Sequence, residues 1–417
     1  MLRSLVLVAC AAALSELSPP KAASAAPPAE TRFRAGPDDL PRVEPALVDM
    51  SRERLAVIDR VVRNAMVFGG FPGAAVIVGR HGAVVWERGY GTLGTYSDSS
   101  VDPRRTLYDL ASLTKVVATS AAAMVLVDKG RLRLDDPVGR YLPEFRKGLK
   151  SEVTIRQLLT HTSGLPVGIQ LSDRSPAASR RLVLEAPLVA APGERSAYSD
   201  VGAAVLGFVI ERVTGMSLDR FVKRAIYTPL GMRNTTFRPS PKVAPRIAET
   251  EGGILPAGVV HDPNARALGG VAGHAGLFAT ASDLAIFAQL MLERGRYQGR
   301  RLVRDSTVSL FTRRAAGRQA LGWETCVGGG SCGRLLAPTA FGHTGFTGTS
   351  MWIDPERDLF VIVLTNWIAG SPERGVAPVA VLHDVRSDIA DVAALAVMDG
   401  QTQEMPDRLR SDLRIGW

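Results

Sequence analysis

Ser112 and Lys115 stand three residues apart in Tyr108-Asp109-Leu110-Ala111-Ser112-Leu113-Thr114-Lys115, at the head of an apolar stretch that Gly130 stops. That pattern predicts a turn opening into a helix, and at 3.6 residues per turn two side chains three apart share one face. The amine then reaches the hydroxyl. A serine hydroxyl is a poor nucleophile until a neighbouring base takes its proton, and a partly desolvated lysine can be that base. The first helical turn also leaves backbone N–H groups unpaired, one of which can face a developing oxyanion. Ser-x-x-Lys is a weak signal when it stands alone. Ser18 and Lys21 match it too, although Pro19 and Pro20 between them forbid a helix.

Two further elements follow in chain order. Tyr198-Ser199-Asp200 sits directly before 201–213, apolar almost all round, so a loop there presents a phenol at the mouth of a buried helix. Tyr96-Ser97-Asp98 has the same letters but lies upstream of the nucleophile in a polar turn and is set aside. His343-Thr344-Gly345 is the third element, where glycine lets a substrate backbone approach and an edge strand can pair with a peptide. A serine pair, a polar triplet and a Lys-Thr-Gly-like strand in that order is the pattern of penicillin-type serine acyl enzymes.

With these residues the chain resembles the serine beta-lactamase-related family, which includes class C beta-lactamases, DD-peptidases and related esterases. The stretches 154–165, Ser199-Asp200-Val201-Gly202, Pro229-Leu230-Gly231-Met232, Gly273-His274-Ala275-Gly276-Leu277-Phe278 and Trp352-Ile353-Asp354-Pro355 extend the likeness over about residues 50–370. The resemblance implies an α/β (α+β) fold: an antiparallel sheet formed by N- and C-terminal strands, flanking helices, and an inserted all-helical region, with the site at the junction. It implies Ser112 as acylated nucleophile, Lys115 as its proton partner and Tyr198 as general base or relay. The N–H groups of Ser112 and Phe346 would form the oxyanion hole, and His343, Thr344 and Gly345 would face the substrate. Two residues depart from the pattern. His343 replaces a lysine, and its imidazole is mostly neutral near pH 7. Asp200, expected with His343, Thr344 and Gly345 among the substrate-binding residues, replaces an asparagine and cannot donate amide hydrogen bonds, but it could hold Lys115 electrostatically.

The elements that must position these residues follow from pattern. Ser51 can cap a helix carrying Leu55, Ile58, Val62 and Met66. Apolar runs at 74–79 and 83–89, and again at 348–353 and 358–365, read as two hairpins. Between them the pattern is helical: Thr154 caps a short helix, Gly215 ends the helix after Tyr198, and Ser282 or Asp283 caps another through Leu292. Residues 252–276, crowded with glycine and broken by Pro256 and Pro263, read as loop. A last helix spans about 379–398. The expected division is a signal peptide at 1–25, a linker at 26–47, one hydrolase domain at 48–400 with its helical region inserted at about 130–314, and a polar tail at 401–417.

The 417 residues, 46% apolar and 22% charged, allow a sizeable core. The net charge of +9 is spread over scattered arginines, a solvated basic surface instead of a nucleic-acid tract. Arg3, the apolar residues 4–14 and Ala23-Ser24-Ala25 form a secretory signal too short to span a membrane, so an exported, periplasmic or extracellular protein is expected. Leu7-Val8-Ala9-Cys10 resembles a lipoprotein box and ranks second; membrane association would come only through the signal or such an anchor. The mature chain keeps Cys326 and Cys332 around a glycine-rich loop, which suits a disulfide. His161 reads as a hydrogen-bonding residue of its motif, and His274 stays open between a structural and a substrate-facing reading. His81, His261 and His383 show no ligand spacing, so no metal and no other cofactor is expected. The expectation is a serine hydrolase taking a small-molecule or muropeptide substrate, with peptidoglycan-type amides first, small esters second and beta-lactams third. The alternative from another class is a non-catalytic module that recognises cell wall.

Overall fold

The computed structural model describes residues 39–68, 70–171, 174–251, 254–369, 379–399 and 403–410. The expected signal, most of the linker and most of the polar tail lie outside them. Six strands form the main sheet: β1 (Gly73–Arg80), β2 (Ala83–Gly91), β3 (Glu324–Thr325), β4 (Phe341–Gly345), β5 (Thr349–Asp354) and β6 (Leu359–Thr365). Their order is β2-β1-β6-β5-β4-β3, antiparallel throughout, so strands from the two ends of the chain meet where β1 pairs with β6. Both predicted hairpins are present. The first turns at His81 and Gly82, both at positive φ.

Strand side chains alternate between faces, and both faces here are covered, which explains why the strands read as unbroken apolar runs. Ala74, Val76, Val78, Trp352, Val361 and Val363 pack with helix α1 (Val57–Val67) and helix α5 (Val379–Ala396). Ala75, Ile77, Met351, Ile353, Ile362 and Leu364 pack into the larger core that holds helix α4 (Ala281–Leu292). Ser51 is a helix cap as expected, accepting from Arg54 N–H at 3.1 Å, but it caps only the turn Arg52–Leu55, and Ile58, Val62 and Met66 lie on the separate helix α1. Leu40 is buried, and Val84 N–H donates to Pro41 at 2.8 Å, so the chain is anchored to β2 before residue 48.

The region between the hairpins is mainly helical. Lys115–Ser120 is a π-helical stretch that runs into α2 (Ala121–Asp128), and α3 (Asp200–Thr214) ends at Gly215, φ 71°. Local chemistry differs from expectation at two caps. Thr280, not Ser282 or Asp283, caps α4 by accepting from Asp283 N–H, and the Asp283 carboxylate takes Asn234 N–H and the Thr235 hydroxyl instead. Pro263 opens a short helix, Pro263–Ala267, instead of breaking one, because proline suits the first helical position after the Asp262 cap. The region also contains a small sheet that no periodicity announces: Leu277–Ala279 pairs with Tyr108–Asp109 on one side and Thr236–Phe237 on the other. Strands of two or three residues are too short to carry an alternation. This sheet fixes the residues just upstream of Ser112. Cys326 and Cys332 are bridged, Cα–Cα 5.9 Å. Among the described residues no single helix is long and apolar enough to cross a membrane, and no three His, Cys, Asp or Glu side chains converge as a metal site would need.

Candidate active site

Ser112 lies in the turn between the strand Tyr108–Asp109 and the helix that begins with Leu113. Ala111, immediately before it, has φ 45°, a left-handed conformation that costs a residue with a Cβ about 1–2 kcal/mol. The turn is held by Ala111 N–H donating to Asp109 Oδ1 at 2.9 Å and Lys115 N–H donating to Ser112 O at 2.9 Å.

Lys115 is buried, with 3% of its side chain exposed, and its ammonium is the hub of the site. Nζ donates to Ser112 Oγ at 2.9 Å and to the His274 carbonyl at 3.3 Å, and forms an ion pair with Asp200 Oδ1 at 2.6 Å. It also lies 4.6 Å from the centroid of the Tyr198 ring. The first two sequence elements, 83 positions apart at Lys115 and Tyr198, therefore meet at one nitrogen. Burial alone would depress the lysine pKa, but the neighbouring Tyr198 and Asp200 outweigh it and hold the ammonium above its ordinary value. Burial pushes the Tyr198 phenol up, opposed by the Lys115 charge. Lys115 thus rests as a cation beside a neutral phenol.

Tyr198 is carried by the loop that enters α3. Ser199 caps that helix, accepting from Gly202 N–H at 2.9 Å, while its hydroxyl donates to Pro166 O at 2.6 Å. Its own N–H donates to His161 Nδ1 at 3.0 Å, and Ala197 N–H donates to His161 O at 2.8 Å. The His161 ring lies 4.6 Å from that of Tyr198. His161 is therefore a bracket for Tyr198, and burial together with the Lys115 charge lowers its pKa to about 3.

The strand wall comes from β4. Thr347 Oγ1 donates to Asp109 O at 2.6 Å and Thr349 Oγ1 to Leu110 O at 3.0 Å, stapling the turn after β4 to the segment leading into Ser112. The approach is so close at Gly345 that a Cβ there would meet Leu110 O at 2.3 Å. Neither Ser112 nor Phe346 donates its N–H to a protein acceptor among the described residues, leaving two amide donors on adjoining segments. The Phe346 ring is 63% exposed, stacked on His261 at 5.5 Å and edge-on to Trp367 at 5.9 Å. His343 is buried with its ring 5.9 Å from Tyr198; Nδ1 lies 2.7 Å from the Thr344 carbonyl, and Nε2 has no hydrogen-bond partner among the described residues. Burial lowers its pKa, so it faces Tyr198 uncharged. Thr344 is half-buried. His274, the residue left open by sequence, meets the site through its carbonyl, with its ring buried against Asp262 at 3.0 Å. Asp109 and Asp262 were not singled out by sequence; Asp109 stands inside the nucleophile motif, but its contacts are made across the fold.

The model of the beta-lactamase family matches residues 58–386. A protein of Salmonella agona (strain SL483) named "Putative D-alanyl-D-alanine carboxypeptidase" is 34% identical over 372 aligned residues, covering 78% of this chain and 86% of that protein. Among solved structures, a penicillin-binding protein homologue from Caulobacter crescentus is similar with TM-score 0.66 and 25% identity, covering 83% of this chain and 99% of that one. EstCE1, described as a hydrolase with promiscuous acyltransferase activity, shares the fold at TM-score 0.64 and 24% identity, covering 81% and 98%. The chain belongs to the beta-lactamase family. It is a serine hydrolase.

Proposed function

We propose that the protein is an exported hydrolase that forms an acyl-enzyme on Ser112 and acts on peptidoglycan-type amide bonds, as a D,D-carboxypeptidase or muropeptide amidase. The observation that carries this reading is the Lys115 ammonium, fixed between Ser112 Oγ, Asp200 and the Tyr198 ring. The Cys326–Cys332 bridge supports an oxidising compartment, and the name of the Salmonella relative supports a D-alanyl peptide substrate.

In this mechanism Lys115 acts as a charge. It donates to Ser112 Oγ and cannot accept the serine proton until the Lys115–Tyr198 pair has lost one of its own. The cation lowers the cost of a phenolate at Tyr198. Ser112 Oγ then attacks the scissile carbonyl carbon while its proton moves to Tyr198, and the N–H groups of Ser112 and Phe346 hold the oxyanion. Tyr198 gives the proton to the leaving amine as the C–N bond breaks. Water, deprotonated by Tyr198, next cleaves the ester and frees Ser112. His343, Thr344 and Gly345 contact the substrate. With His343 uncharged, this wall offers hydrogen bonds in place of a fixed cation, which favours peptide amides and esters over antibiotics read by a lysine.

Mass spectrometry after incubation with a chromogenic ester or a fluorescent penicillin tests the acyl-enzyme: an adduct on Ser112 is expected, and its absence with both overturns the reading in favour of a cell-wall-recognition module. A panel of muropeptides, D-alanyl dipeptides, short esters and a cephalosporin then ranks substrates, with the first two expected to show the highest kcat/KM.

A further inference from the structure

Two carboxylates beside the site have no part in that mechanism. Asp109 is buried and accepts two backbone N–H groups, from Ala111 at 2.9 Å through Oδ1 and from His261 at 2.7 Å through Oδ2. Asp262 is the next residue after His261. Its Oδ1 caps the helix Pro263–Ala267 at Ala265 N–H, 2.7 Å, and lies 3.0 Å from His274 Nε2. The His274 carbonyl accepts from Lys115 Nζ, which donates to Ser112 Oγ. The contacts close a ring: Asp109, His261, Asp262, His274, Lys115, Ser112 and, through Ala111, Asp109 again.

We propose that Asp109 and Asp262 are positioning residues for acylation, holding the nucleophile's turn and the lysine in register through the segment 261–262. The inference rests on the reading of Ser112 and Lys115 as the reacting pair. Ala111 is left-handed, a strained conformation that capture of its N–H helps to hold, and a carboxylate accepting two N–H groups is a stronger anchor than a neutral oxygen. An ammonium has three donors, and those of Lys115 point at Ser112, His274 O and Asp200. With all three taken, its direction is fixed; with the His274 carbonyl released, it can swing away from Ser112. The His261 ring of the same segment also stacks on the Phe346 ring, beside the proposed oxyanion amide.

Asp109 gives the ring a signature in pH. Burial pushes its carboxyl up to about 6, against the two backbone N–H groups it accepts. The titratable groups facing it are the His261 imidazole and the Asp262 carboxylate, both on the 261–262 segment; its strand partners Leu277–Ala279 and the Thr347 turn contribute none. Protonation turns one acceptor oxygen into a hydroxyl and loosens the ring, so acylation falls as pH drops through about 6.

The test is the rate of Ser112 labelling by an activated ester or a fluorescent penicillin in Asp109→Asn, Asp262→Ala and the double variant, with folding followed by circular dichroism. Asparagine at 109 keeps the shape but accepts only one of the two N–H groups, and alanine at 262 removes the single oxygen, Oδ1, that meets both Ala265 N–H and His274 Nε2. Labelling about 10- to 100-fold slower in folded protein is expected of each single variant, with the double variant less impaired than the two losses combined. Asp109→Asn should also lack the acid limb. Labelling at the parent rate, or a loss that follows the folded fraction, overturns the inference. If Asp109→Asn does not fold, Asp262→Ala alone decides, since the Asp262 carboxylate is partly exposed. A Ser112→Ala variant that still labels at the parent rate, or a parent that does not label, overturns the acylation reading and this inference with it.

Discussion

The two walls of the cleft are built by different physics. On the helical side, Lys115, Ser199 and His161 are almost fully buried, and the polar atoms that aim Ser112 and Tyr198 are paired to backbone or to each other. On the strand side, Phe346 projects into solvent, Thr344 is half-buried, and the Phe346 N–H has no protein acceptor among the described residues. The buried wall is over-determined, which suits a proton-transfer geometry that must hold to fractions of an ångström. The open wall offers groups that wait for a partner. The division assigns kcat to one side and KM to the other, and substitutions can break it.

The largest expected effect is on the buried side. Lys115→Ala removes the charge that makes a Tyr198 phenolate affordable and the donor that aims Ser112, so acylation should fall about 10³-fold, read as the labelling rate of Ser112. Near-parent acylation would take lysine out of the mechanism. Asp200→Asn comes next. The carboxylate raises the Lys115 pKa, so its neutralisation lowers the proton affinity of the Lys115–Tyr198 pair. The alkaline rise in acylation rate should move about one unit toward lower pH, giving a rate below optimum pH about tenfold above the parent's. A limb that stays in place would show that Asp200 only fills space.

How much of this was legible in the sequence depends on the distance over which each feature acts. The two hairpins, the capping residues Ser51 and Thr154 and the helix after Tyr198 are set by neighbours a few residues away, and they appear as read. The three motifs were legible because each packs its chemistry into three or four adjacent letters. Asp109 sits inside the first motif yet shows nothing there: its partner, His261 N–H, lies 152 positions on, in a stretch that reads only as glycine-rich loop. The lysine's state was hidden for the same reason. Desolvation suggests a neutral base, and only the approach of Tyr198 and Asp200 across the fold makes it a cation. His343 shows the converse. Its letter signals a lost cation, and burial beside Tyr198 strengthens that conclusion.

Acid sharpens the contrast through stability. Folded His161 has a pKa of about 3, below the ordinary imidazole value of 6.5, so the unfolded chain binds more protons as pH falls below about 6.5 and folding loses free energy there. From pH 7 to pH 5 this histidine alone should remove about 2 kcal/mol, by denaturant titration. His343 acts in the same direction. Asp109 acts oppositely, since a carboxyl raised to about 6 takes up its proton in the folded state first. His161→Asn, whose Oδ1 takes the place of Nδ1 and can still accept from Ser199 N–H, isolates the histidine's share: its stability should lose less between pH 7 and pH 5 than the parent's. An unchanged loss would mean the bracket tolerates a charge.

The smallest effect belongs to the open wall. Phe346→Ala keeps the backbone N–H proposed for the oxyanion and removes a ring that rests on His261 and Trp367 but is otherwise exposed. Losing an exposed ring costs little stability, and the acylating atoms keep their positions, so kcat should hold within about twofold while KM for a muropeptide rises about three- to tenfold, the size of one lost apolar contact. Because Gly345 is wedged against Leu110 O, the backbone at this point is fixed by packing independent of the ring. A loss confined to kcat would mean that the ring steers the oxyanion amide, and the two walls would then be a single device.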